Sequence, residues 1–485
     1  MTKELRRLSI VMLVMFLGLL GATSWIQVVA ADELLANPHN KRALYDSYEV
    51  QRGSIFAGRE VIASSVPSDD FYSWLRTYPD AEMWAPITGY MNPVLGSRTG
   101  LEEAMNTELS GAGSSQLLAR IERIVSGQPA RGSNVLTTID PEVQQVAFDA
   151  IKKYQGAVIA MDPATGRILA MATSPSFDTN LLAEHDAGAV NDVHDELVAD
   201  PTKPLYNRAI GGDLDPPGST FKLVVASAAL ASGNYTPEST FDNPAEWTLP
   251  GTDNVLHNFD RRTCGPGDEV TLADALRLSC NIPMAQLAVE LGDDAIRAEA
   301  EKYGFNTSFE LPLVSTASVY PPSLNAPQTA LSGFGQGDVR AHPLQMAMVS
   351  AGIANDGVVM NPRLVDSVVA PDLTVLQQFE NTEFGRALTA EQAETMTRMM
   401  IANVSDGAAS GARIDGVDVA GKTGTAEHNP GDPYTLWFTG FAPAEDPEVV
   451  VAVMVQDGGG LGQNGTSNGI AAPIAKKVIE AVLSR

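Results

Sequence analysis

A serine and a lysine stand three residues apart in the segment PPGSTFK, residues 216–222, where the prolines and the glycine predict that a helix begins near Ser219. Positions i and i+3 share one helix face, so Lys222 can lie beside the serine hydroxyl. The apolar run that follows to Ala231 predicts a buried helix. Burial and the helix dipole both favour a neutral lysine amine, which can take a proton from serine. The alternative is that Ser219 caps the helix and Lys222 reaches solvent.

A second motif, Ser279-Cys280-Asn281, lies between two predicted helices. On a short loop of this kind, the hydroxyl of Ser279 can relay a proton and the amide of Asn281 can orient an amide substrate. The alternative is that Asn281, which is followed closely by Pro283, caps the next helix.

A third motif, Lys422-Thr423-Gly424-Thr425, lies in the predicted strand 417–426. Alternate residues of a strand face opposite sides, so Thr423 and Thr425 share one side while Lys422 and Gly424 share the other. A lysine and two hydroxyls beside an open edge suit a substrate carboxylate, and a glycine lets a ligand approach the backbone closely. The alternative is an ordinary polar edge strand.

The elements that must position these motifs fall into three groups along the chain. Apolar runs around the turn at 163–166 predict a β-hairpin, strands recur in the last part of the sequence, and the residues between are mainly helical. Strands at both ends around a helical middle predict one sheet assembled from distant segments, an α+β fold. The predicted helices are 141–154, 219–231, 272–278, 283–291, 344–354 and 470–483, and the predicted strands are 157–162, 168–173, 417–426, 434–441 and 449–456.

The beginning of the sequence predicts a membrane anchor. Three basic residues within positions 1–7 precede an uncharged stretch from Leu8 to Ala31, which at roughly 24 residues is long enough to span a bilayer. Acidic residues follow at once, an asymmetry that places the N-terminus in the cytoplasm and the remainder outside. The alternative is a signal peptide cleaved near Ala30-Ala31, which would also export the chain.

Charge and cysteine content narrow the function further. The formal net charge of -27 over 485 residues argues against a surface for nucleic acid or anionic lipid, since both need clustered Lys and Arg. The two cysteines, Cys264 and Cys280, allow one disulfide. A bridge closing a loop of about 16 residues would add about 3 kcal/mol of stability. Two unpaired thiols are the alternative.

Two other patterns resemble sites for cofactors and metals. The segment GLGQNG at 460–465 matches the dinucleotide fingerprint, but the roughly 20 residues after it leave no room for a second βα unit. His185 and His194 lie among aspartates with a spacing that fits no standard metal site, so a solvated loop is expected there. We therefore predict no cofactor and no metal.

The three motifs together carry a family resemblance. Ser-x-x-Lys, Ser-x-Asn and Lys-Thr-Gly occur in the order found in penicillin-binding proteins and class A β-lactamases. Over nearly its whole length the chain resembles a class B penicillin-binding protein, a peptidoglycan D,D-transpeptidase, and is most similar to the short actinobacterial type. Further segments that carry the resemblance are YNRA at 206–209, GQG at 335–337, PLQMA at 343–347, ANDG at 354–357 and WFTGF at 437–441.

The sequence departs from the family pattern in three places. Ala57 stands in the N-terminal Arg-Gly segment, 52–59, where aspartate is usual, so ion pairing at that junction is not expected. Cys280 occupies the middle of Ser-x-Asn, where β-lactamase relatives often have aspartate. Ser323-Leu324-Asn325 lacks the glutamate of the β-lactamase loop that activates water, which weakens a hydrolytic interpretation.

The resemblance implies an antiparallel sheet flanked by helices, a helical subdomain, a smaller N-terminal domain and one transmembrane helix. The implied division is a cytoplasmic tail at 1–7, an anchor at 8–31, a non-catalytic pedestal-like or dimerisation-like domain at 32–150 and a transpeptidase domain at 151–485. The transpeptidase domain is expected on the outer side of the cytoplasmic membrane.

The resemblance also implies the chemistry of acyl transfer. Ser219 would attack the penultimate carbonyl of a stem peptide ending in D-Ala-D-Ala, with Lys222 as general base. Ser279 and Lys422 would pass a proton to the leaving D-Ala, and an amine from a second stem peptide would resolve the acyl-enzyme. A β-lactam would acylate the same serine and remain bound.

Binding of the donor is implied in the same way. The N–H groups of Ser219 and Thr425 would form the oxyanion hole, Thr423 and Thr425 would hold the carboxylate beside Gly424, and Asn281 would bind the peptide amide. Implied partners are stem peptides, β-lactams, the membrane, and a glycan polymerase of the SEDS class with other division or elongation proteins. The alternatives are a carboxypeptidase or β-lactamase that uses water, and a non-catalytic β-lactam sensor or division scaffold.

Overall fold

The computed structural model describes residues 2–30, 34, 50–111, 131–372 and 374–485. Ala31, at the possible cleavage position, and most of the turn-rich stretch at 127–133, which predicts a linker, lie outside the described residues.

Helices and strands are numbered in chain order. The helices are α1 Thr2–Ser24, α2 Ala81–Thr88, α3 Gly100–Ala104, α4 Asn106–Leu109, α5 Pro141–Ile151, α6 Thr179–Ala183, α7 Ala187–Ala199, α8 Lys222–Ala231, α9 Leu272–Arg277, α10 Ile282–Leu291, α11 Asp293–Lys302, α12 Ala326–Ser332, α13 Pro343–Ala354, α14 Ala390–Asp406 and α15 Ala471–Leu483. The strands are β1 Ile55–Ala57, β2 Glu60–Pro67, β3 Trp74–Thr77, β4 Met91–Asn92, β5 Ser97–Arg98, β6 Asn134–Thr137, β7 Gly156–Met161, β8 Ile168–Ser174, β9 Thr240–Asp242, β10 Glu246–Thr248, β11 Val255–His257, β12 Glu269–Thr271, β13 Val358–Met360, β14 Val365–Val369, β15 Val375–Gln378, β16 Glu383–Arg386, β17 Ala420–Ala426, β18 Thr435–Ala442 and β19 Val449–Val455.

A five-stranded sheet joins strands from distant parts of the chain in the order β17-β18-β19-β7-β8, and neighbouring strands are antiparallel. β19 is buried along its whole length because helices cover both faces of the sheet. Val451 and Val453 pack with α5 and α15, whereas Val450 and Ala452 pack with α13 on the other face. The predicted α+β fold, with one sheet built from distant segments, is confirmed.

The helical layer is centred on α8, which contacts α10, α11 and α14. Every residue from Lys222 to Leu230 is buried, as the apolar sequence predicts. The α-helix itself begins at Lys222, because residues Gly218–Phe221 form a 3₁₀ turn before it. Two other predicted elements are shorter than expected: α5 ends at Ile151, and β17 begins at Ala420.

A second sheet has the order β15-β14-β6-β1-β2-β3. β1 runs parallel to β6, and β14 pairs antiparallel with the other side of β6. Two strands of this N-terminal sheet therefore come from residues 365–378, far along the chain. Conversely α5, which precedes the expected boundary at 150–151, packs against the five-stranded sheet.

A buried ion cluster lies beneath the N-terminal sheet. Arg52 Nε donates to Glu102 Oε2 at 2.6 Å, and Arg76 Nε donates to Glu102 Oε1 at 2.6 Å. Burial by itself raises the pKa of Glu102, but the charges of the two arginines outweigh it and hold that pKa below its usual value. Ala57 takes no part in the cluster, and Glu102 supplies the carboxylate instead. Arg52, Arg76 and Glu102 all lie within the N-terminal segment, so weaker ion pairing between the domains at Ala57 stays a prediction.

The first helix is long and apolar. Residues Lys3–Val29 form 27 residues of continuous helix, α1 followed by a π-helical turn, and this is the one helix of the described chain with the length and composition to cross a membrane. The basic residues within positions 1–7 belong to the first turns of this helix.

The ion cluster generates a stability prediction. Glu102→Gln leaves two buried guanidinium groups without a carboxylate, so we expect the free energy of unfolding to fall by about 3–5 kcal/mol in urea denaturation. The depressed pKa means that this stabilisation is complete above the unfolded pKa of glutamate and is lost as pH falls through the folded pKa. Glu103→Gln, at the exposed neighbouring position, is the matched control. Equal unfolding midpoints for the two variants would contradict the prediction.

Candidate active site

The turn that carries Ser219 is pressed against strand β17. Gly218 has a φ of +53°, and a Cβ there would lie 2.7 Å from the carbonyl oxygen of Thr425. A Cβ on Gly424 would lie 2.7 Å from the carbonyl oxygen of Pro217. The prediction for Gly424 was access for a ligand, but the space that its missing side chain leaves is filled by the protein's own turn. Two glycines thus bring the serine and the Lys-Thr-Gly strand together.

Lys222 lies beneath the serine turn and is fully buried. Its Nζ donates to the carbonyl oxygen of Ser279 at 2.7 Å and to Asn281 Oδ1 at 2.8 Å, and it lies 3.4 Å from Ser279 Oγ. Burial, followed by the nearby charge of Lys422, lowers the pKa of Lys222 well below its usual value. A neutral amine has two hydrogens, and the two closest oxygens accept both. Its lone pair is then left free to accept a proton.

Lys222 and Ser219 lie in consecutive helical turns of one segment. Within the described residues, no hydrogen bond joins the amine to the Ser219 hydroxyl. A nucleophile and its base are often loosely aligned before substrate binds. The predicted alternative, in which Lys222 reaches solvent, is wrong because this side chain has no exposed surface.

Lys422 lies on the other side of Ser279 and is also fully buried. Its Nζ donates to Ser279 Oγ at 2.7 Å and to the carbonyl oxygen of Thr423 at 3.0 Å. Burial lowers the pKa of Lys422 to about 7. Ser279 therefore contacts both lysines, through its carbonyl oxygen on one side and its hydroxyl on the other. Its backbone has a φ of +63°, a conformation that costs energy for a residue with a side chain.

Asn281 does not cap the following helix with its side chain, which was the alternative interpretation of its motif. Its Oδ1 instead accepts from Lys222. The backbone N–H groups of Asn281 and Ile282 both donate to Asn258 Oδ1, at 2.9 and 3.1 Å. The motif is thus held from the loop that follows β11.

A disulfide holds the same loop from a second point. Cys264 is bonded to Cys280, the middle residue of the Ser-x-Asn motif. The loop between β11 and β12 is therefore covalently joined to the residues that contact both lysines. This loop also carries Phe259 and Arg261, which line the cleft above the motif.

Thr423 and Thr425 lie on the cleft side of β17, as the strand periodicity predicts. Thr423 Oγ1 donates to the carbonyl oxygen of Ala408 at 3.2 Å. Thr425 Oγ1 lies 2.9 Å from Ser467 Oγ, and Ser467 Oγ donates to the carbonyl oxygen of Gly424 at 2.5 Å. Because the Ser467 proton goes to that carbonyl, Thr425 must donate in the contact between the two hydroxyls.

These elements enclose one cleft with a volume of about 610 Å³. The two lysines lie beneath its floor, so all eight predicted catalytic and substrate-binding residues surround one space. The predicted residues that line it are Ser219, Ser279, Asn281, Thr423, Gly424 and Thr425.

Several lining residues are not predicted from the sequence. Asn258, Ser467 and His428 lie on loops with no motif of their own. Gln336 lies in the segment GQG, which the family resemblance singles out without a role. The glycine-rich segment at 460–465 leads directly into Thr466–Asn468 at the cleft wall.

The described residues contain no group of three His, Cys, Asp or Glu side chains that could hold a metal ion. His185, one of the two histidines considered for that role, pairs through Nδ1 with Asp70 on the hairpin between β2 and β3.

Comparison with known protein families gives two matches. Residues 156–480 match the penicillin binding protein transpeptidase domain. Residues 52–135 match the penicillin binding protein A dimerisation domain. The first match contains every residue of the cleft, and the second contains β1, β2, β3 and the ion cluster.

Individual relatives resemble the chain over its full length. It is 41% identical to the peptidoglycan D,D-transpeptidase PbpA of Mycolicibacterium smegmatis over 100% of this chain and 99% of that protein. It is 38% identical to PbpA of Mycobacterium tuberculosis over the same fractions. The solved ceftriaxone acyl-enzyme of M. tuberculosis penicillin-binding protein A has 37% identity and a TM-score of 0.87, covering 90% of this chain and 100% of that one. The penicillin G acyl-enzyme of the same protein has a TM-score of 0.84.

The disulfide generates the second prediction. Replacing both Cys264 and Cys280 by serine opens a loop with a sequence separation of 16 residues. We expect the free energy of unfolding to fall by about 3 kcal/mol. Denaturation with and without a reductant measures the effect, and reductant should destabilise the wild type while leaving the double variant unchanged. A wild type indifferent to full reduction would contradict the prediction.

Proposed function

This chain belongs to the family of penicillin-binding protein transpeptidases, and from that premise we propose that it cross-links peptidoglycan through an acyl-enzyme on Ser219. The donor is a stem peptide that ends in D-Ala-D-Ala, and β-lactams acylate the same residue. The observation that carries the proposal is the buried amine of Lys222 beneath the serine turn, with both of its hydrogens directed to oxygens.

Acylation begins with proton transfer from serine to lysine. The Lys222 lone pair takes the proton of Ser219 as Oγ attacks the penultimate carbonyl of the donor. The N–H groups of Ser219 and Thr425 stabilise the oxyanion, and loss of one such donor typically costs about 10²–10³ in rate. The contact between Gly218 and the Thr425 carbonyl supports this role, because it places the two backbone segments side by side.

Release of D-Ala needs a proton on its nitrogen. Ser279 Oγ lies 3.4 Å from Lys222 Nζ and 2.7 Å from Lys422 Nζ, so it can pass a proton from the first lysine to the leaving amine while the second holds its hydroxyl. The Ser219 ester then remains, and an amine of a second stem peptide attacks it to form the cross-link. Lys222 is regenerated as a neutral amine in the same cycle.

The other cleft residues bind the donor. Thr423 and Thr425 hold its terminal carboxylate once their hydroxyl protons turn to it from the Ala408 carbonyl and from Ser467, and Asn281 orients its peptide amide. Gly424 contributes to this site because its missing side chain leaves space for the turn that carries Ser219. The disulfide Cys264–Cys280 restrains the backbone at Asn281, because Cys280 is the residue directly before it.

Hydrolysis by water is the competing reaction on the same acyl-enzyme. The segment 323–325 that lacks a glutamate ends at Asn325, whose side chain caps α12 in a capping box with Gln328. The Asn325 side chain therefore caps a helix, and an amide cannot act as the general base that activates a water molecule. The acyl-enzyme structures of M. tuberculosis penicillin-binding protein A support long-lived β-lactam adducts here also.

The domain division and topology follow the same proposal. Residues 8–31 anchor the chain in the cytoplasmic membrane, residues 1–7 lie in the cytoplasm, and the remainder lies outside. Residues 32–150 form the non-catalytic domain and residues 151–485 the transpeptidase domain, completed by the strand exchange described above. A SEDS-class glycan polymerase and other division or elongation proteins are the proposed partners, and they would supply the glycan strands that this enzyme cross-links.

A test of the nucleophile uses intact mass spectrometry after incubation with penicillin G. We expect one covalent adduct on the wild type and none on Ser219→Ala, because Thr220, the other hydroxyl of this turn, is buried and donates to the Pro217 carbonyl. Ser232→Ala, at the exposed end of α8, is the matched control and should be fully acylated. An adduct on Ser219→Ala, or none on the wild type, would refute the proposed function.

A test of the base uses Lys222→Arg. Guanidinium stays charged at all accessible pH values and has no lone pair for a proton, so we expect the acylation rate to fall by about 10²–10⁴. In the wild type the rate should fall as pH falls through the depressed pKa of Lys222 and should persist above it. Lys203→Arg, at an exposed position, is the control. Stopped-flow acylation by a fluorescent penicillin measures both, and wild-type rates in Lys222→Arg would exclude the role.

A further inference from the structure

One end of the cleft is formed by Glu427 and His428, which directly follow β17. Glu427 is the one carboxylate among the described residues that line the cleft, and within the described chain its carboxylate has no hydrogen-bond or ion-pair partner. The other charged groups at the cleft are cationic: Arg261 lies on the loop that carries Asn258, and the two lysines lie beneath Ser279. Glu427 and His428 are therefore called the acidic end of the cleft.

The backbone of this acidic end is fixed from the helical layer. The orientation of the Gln336 amide that satisfies both neighbours has its NH₂ donating to the Glu427 carbonyl at 3.1 Å and its oxygen accepting from the Glu427 N–H at 2.9 Å. The adjacent Gly335 carbonyl accepts from the Gly218 N–H at 3.1 Å. One segment thus connects the acidic end to the turn that carries the nucleophile.

The imidazole of His428 is oriented from below by a buried relay. Thr435 Oγ1 donates to Asp215 Oδ1 at 3.2 Å, since a carboxylate oxygen accepts. His428 Nε2 lies 2.9 Å from the same hydroxyl oxygen, whose only proton is already used. Nε2 must therefore carry the proton and donate. In the neutral ring the other nitrogen, Nδ1, then bears a lone pair.

The relay is itself held in place. Gln456 Nε2 donates to Asp215 Oδ2 at 2.6 Å, and Arg208 Nε donates to Gln456 Oε1 at 3.2 Å. Thr435 and Asp215 are buried, whereas the His428 side chain retains 29% of its surface exposed. Nδ1 has no hydrogen-bond partner in the described chain. The acidic end thus offers two acceptors, one carboxylate and one imidazole nitrogen, without a donor of its own.

We propose that Glu427 and His428 form the subsite that binds the acceptor amine of the transpeptidation, an inference that rests on the proposed function. A primary ammonium group carries donors and a positive charge, which match a carboxylate and a lone pair. A donor peptide, by contrast, ends in a carboxylate, which Glu427 repels and the threonines of β17 attract. Charge thus directs the ammonium group to Glu427 and His428 and the carboxylate to the threonines.

Thr435 is a positioning residue in this arrangement, because it acts only through His428. Thr435→Val keeps the volume and removes the hydroxyl that fixes the ring, whereas Thr435→Ser keeps the hydroxyl. We expect the valine variant to need more acceptor for half-maximal transfer at unchanged maximal rate, and the serine variant to restore the wild-type concentration. A fold defect would instead lower the maximal rate and penicillin acylation together.

The main experiment uses the full chain in detergent, a thioester analogue of the acyl-D-Ala-D-Ala donor, and D-alaninamide as a primary amine without a carboxylate. Transfer and hydrolysis products are measured against D-alaninamide concentration for Glu427→Gln and His428→Asn. Loss of one charge-assisted contact should raise the half-saturating concentration about tenfold in each. Penicillin acylation of Ser219, measured in parallel, should stay within about twofold of wild type because the donor end is untouched.

Matched controls carry the same substitutions outside the cleft, Glu445→Gln at an exposed position and His194→Asn at a half-buried one, and should behave as wild type. Wild-type D-alaninamide dependence in both cleft variants would overturn the subsite. So would a parallel fall in penicillin acylation, which would assign this end of the cleft to the donor. Failure of penicillin to acylate the wild-type chain would instead overturn the proposed function itself, so the two failures are distinguishable.

Discussion

The burial of two lysines without a carboxylate partner is the constraint that the rest of the structure serves. Lys222 and Lys422 are both fully buried, and no aspartate or glutamate of the described chain forms an ion pair with either. Desolvating a charged amine costs several kcal/mol. Burial therefore favours the neutral amine in both, and it lowers the pKa of Lys422 to about 7. The fold provides this burial with one lysine from its helical layer and one from its sheet.

Ser279 connects the two lysines, and its conformation explains why the surrounding loop is so heavily restrained. A φ of +63° turns its carbonyl toward Lys222 while its hydroxyl meets Lys422. Such a backbone conformation persists only where neighbouring contacts enforce it. Here the next residue is held by the bond from Cys280 to Cys264, and the residue after it by Asn258. These restraints keep Ser279 in the conformation in which it accepts hydrogen bonds from both lysines.

The sequence allowed those parts of the site to be predicted that depend on local pattern. The buried helix after Ser219, the strand facing of Thr423 and Thr425, and the pairing of strands from both halves of the chain follow from residue spacing. Contacts between distant segments could not be read from spacing. Gly424 was expected to admit a ligand, but only the structure shows the turn that occupies its space. Similarly, the missing aspartate at Ala57 in β1 says nothing of Glu102, which lies on helix α3.

The exchange of strands between the two modules has a mechanical consequence. β6 begins within the segment that matches the dimerisation domain, which ends at residue 135, and β14 belongs to the segment that matches the transpeptidase domain. The two strands are paired from Asn134–Val369 to Thr137–Val365. Rotating one module against the other would break the hydrogen bonds between β6 and β14. Each backbone group that then stayed buried without a partner would cost free energy. The ion cluster of Arg52 lies on the same side of that ladder as β1. The paired strands therefore couple the N-terminal sheet to the segment that carries the cleft.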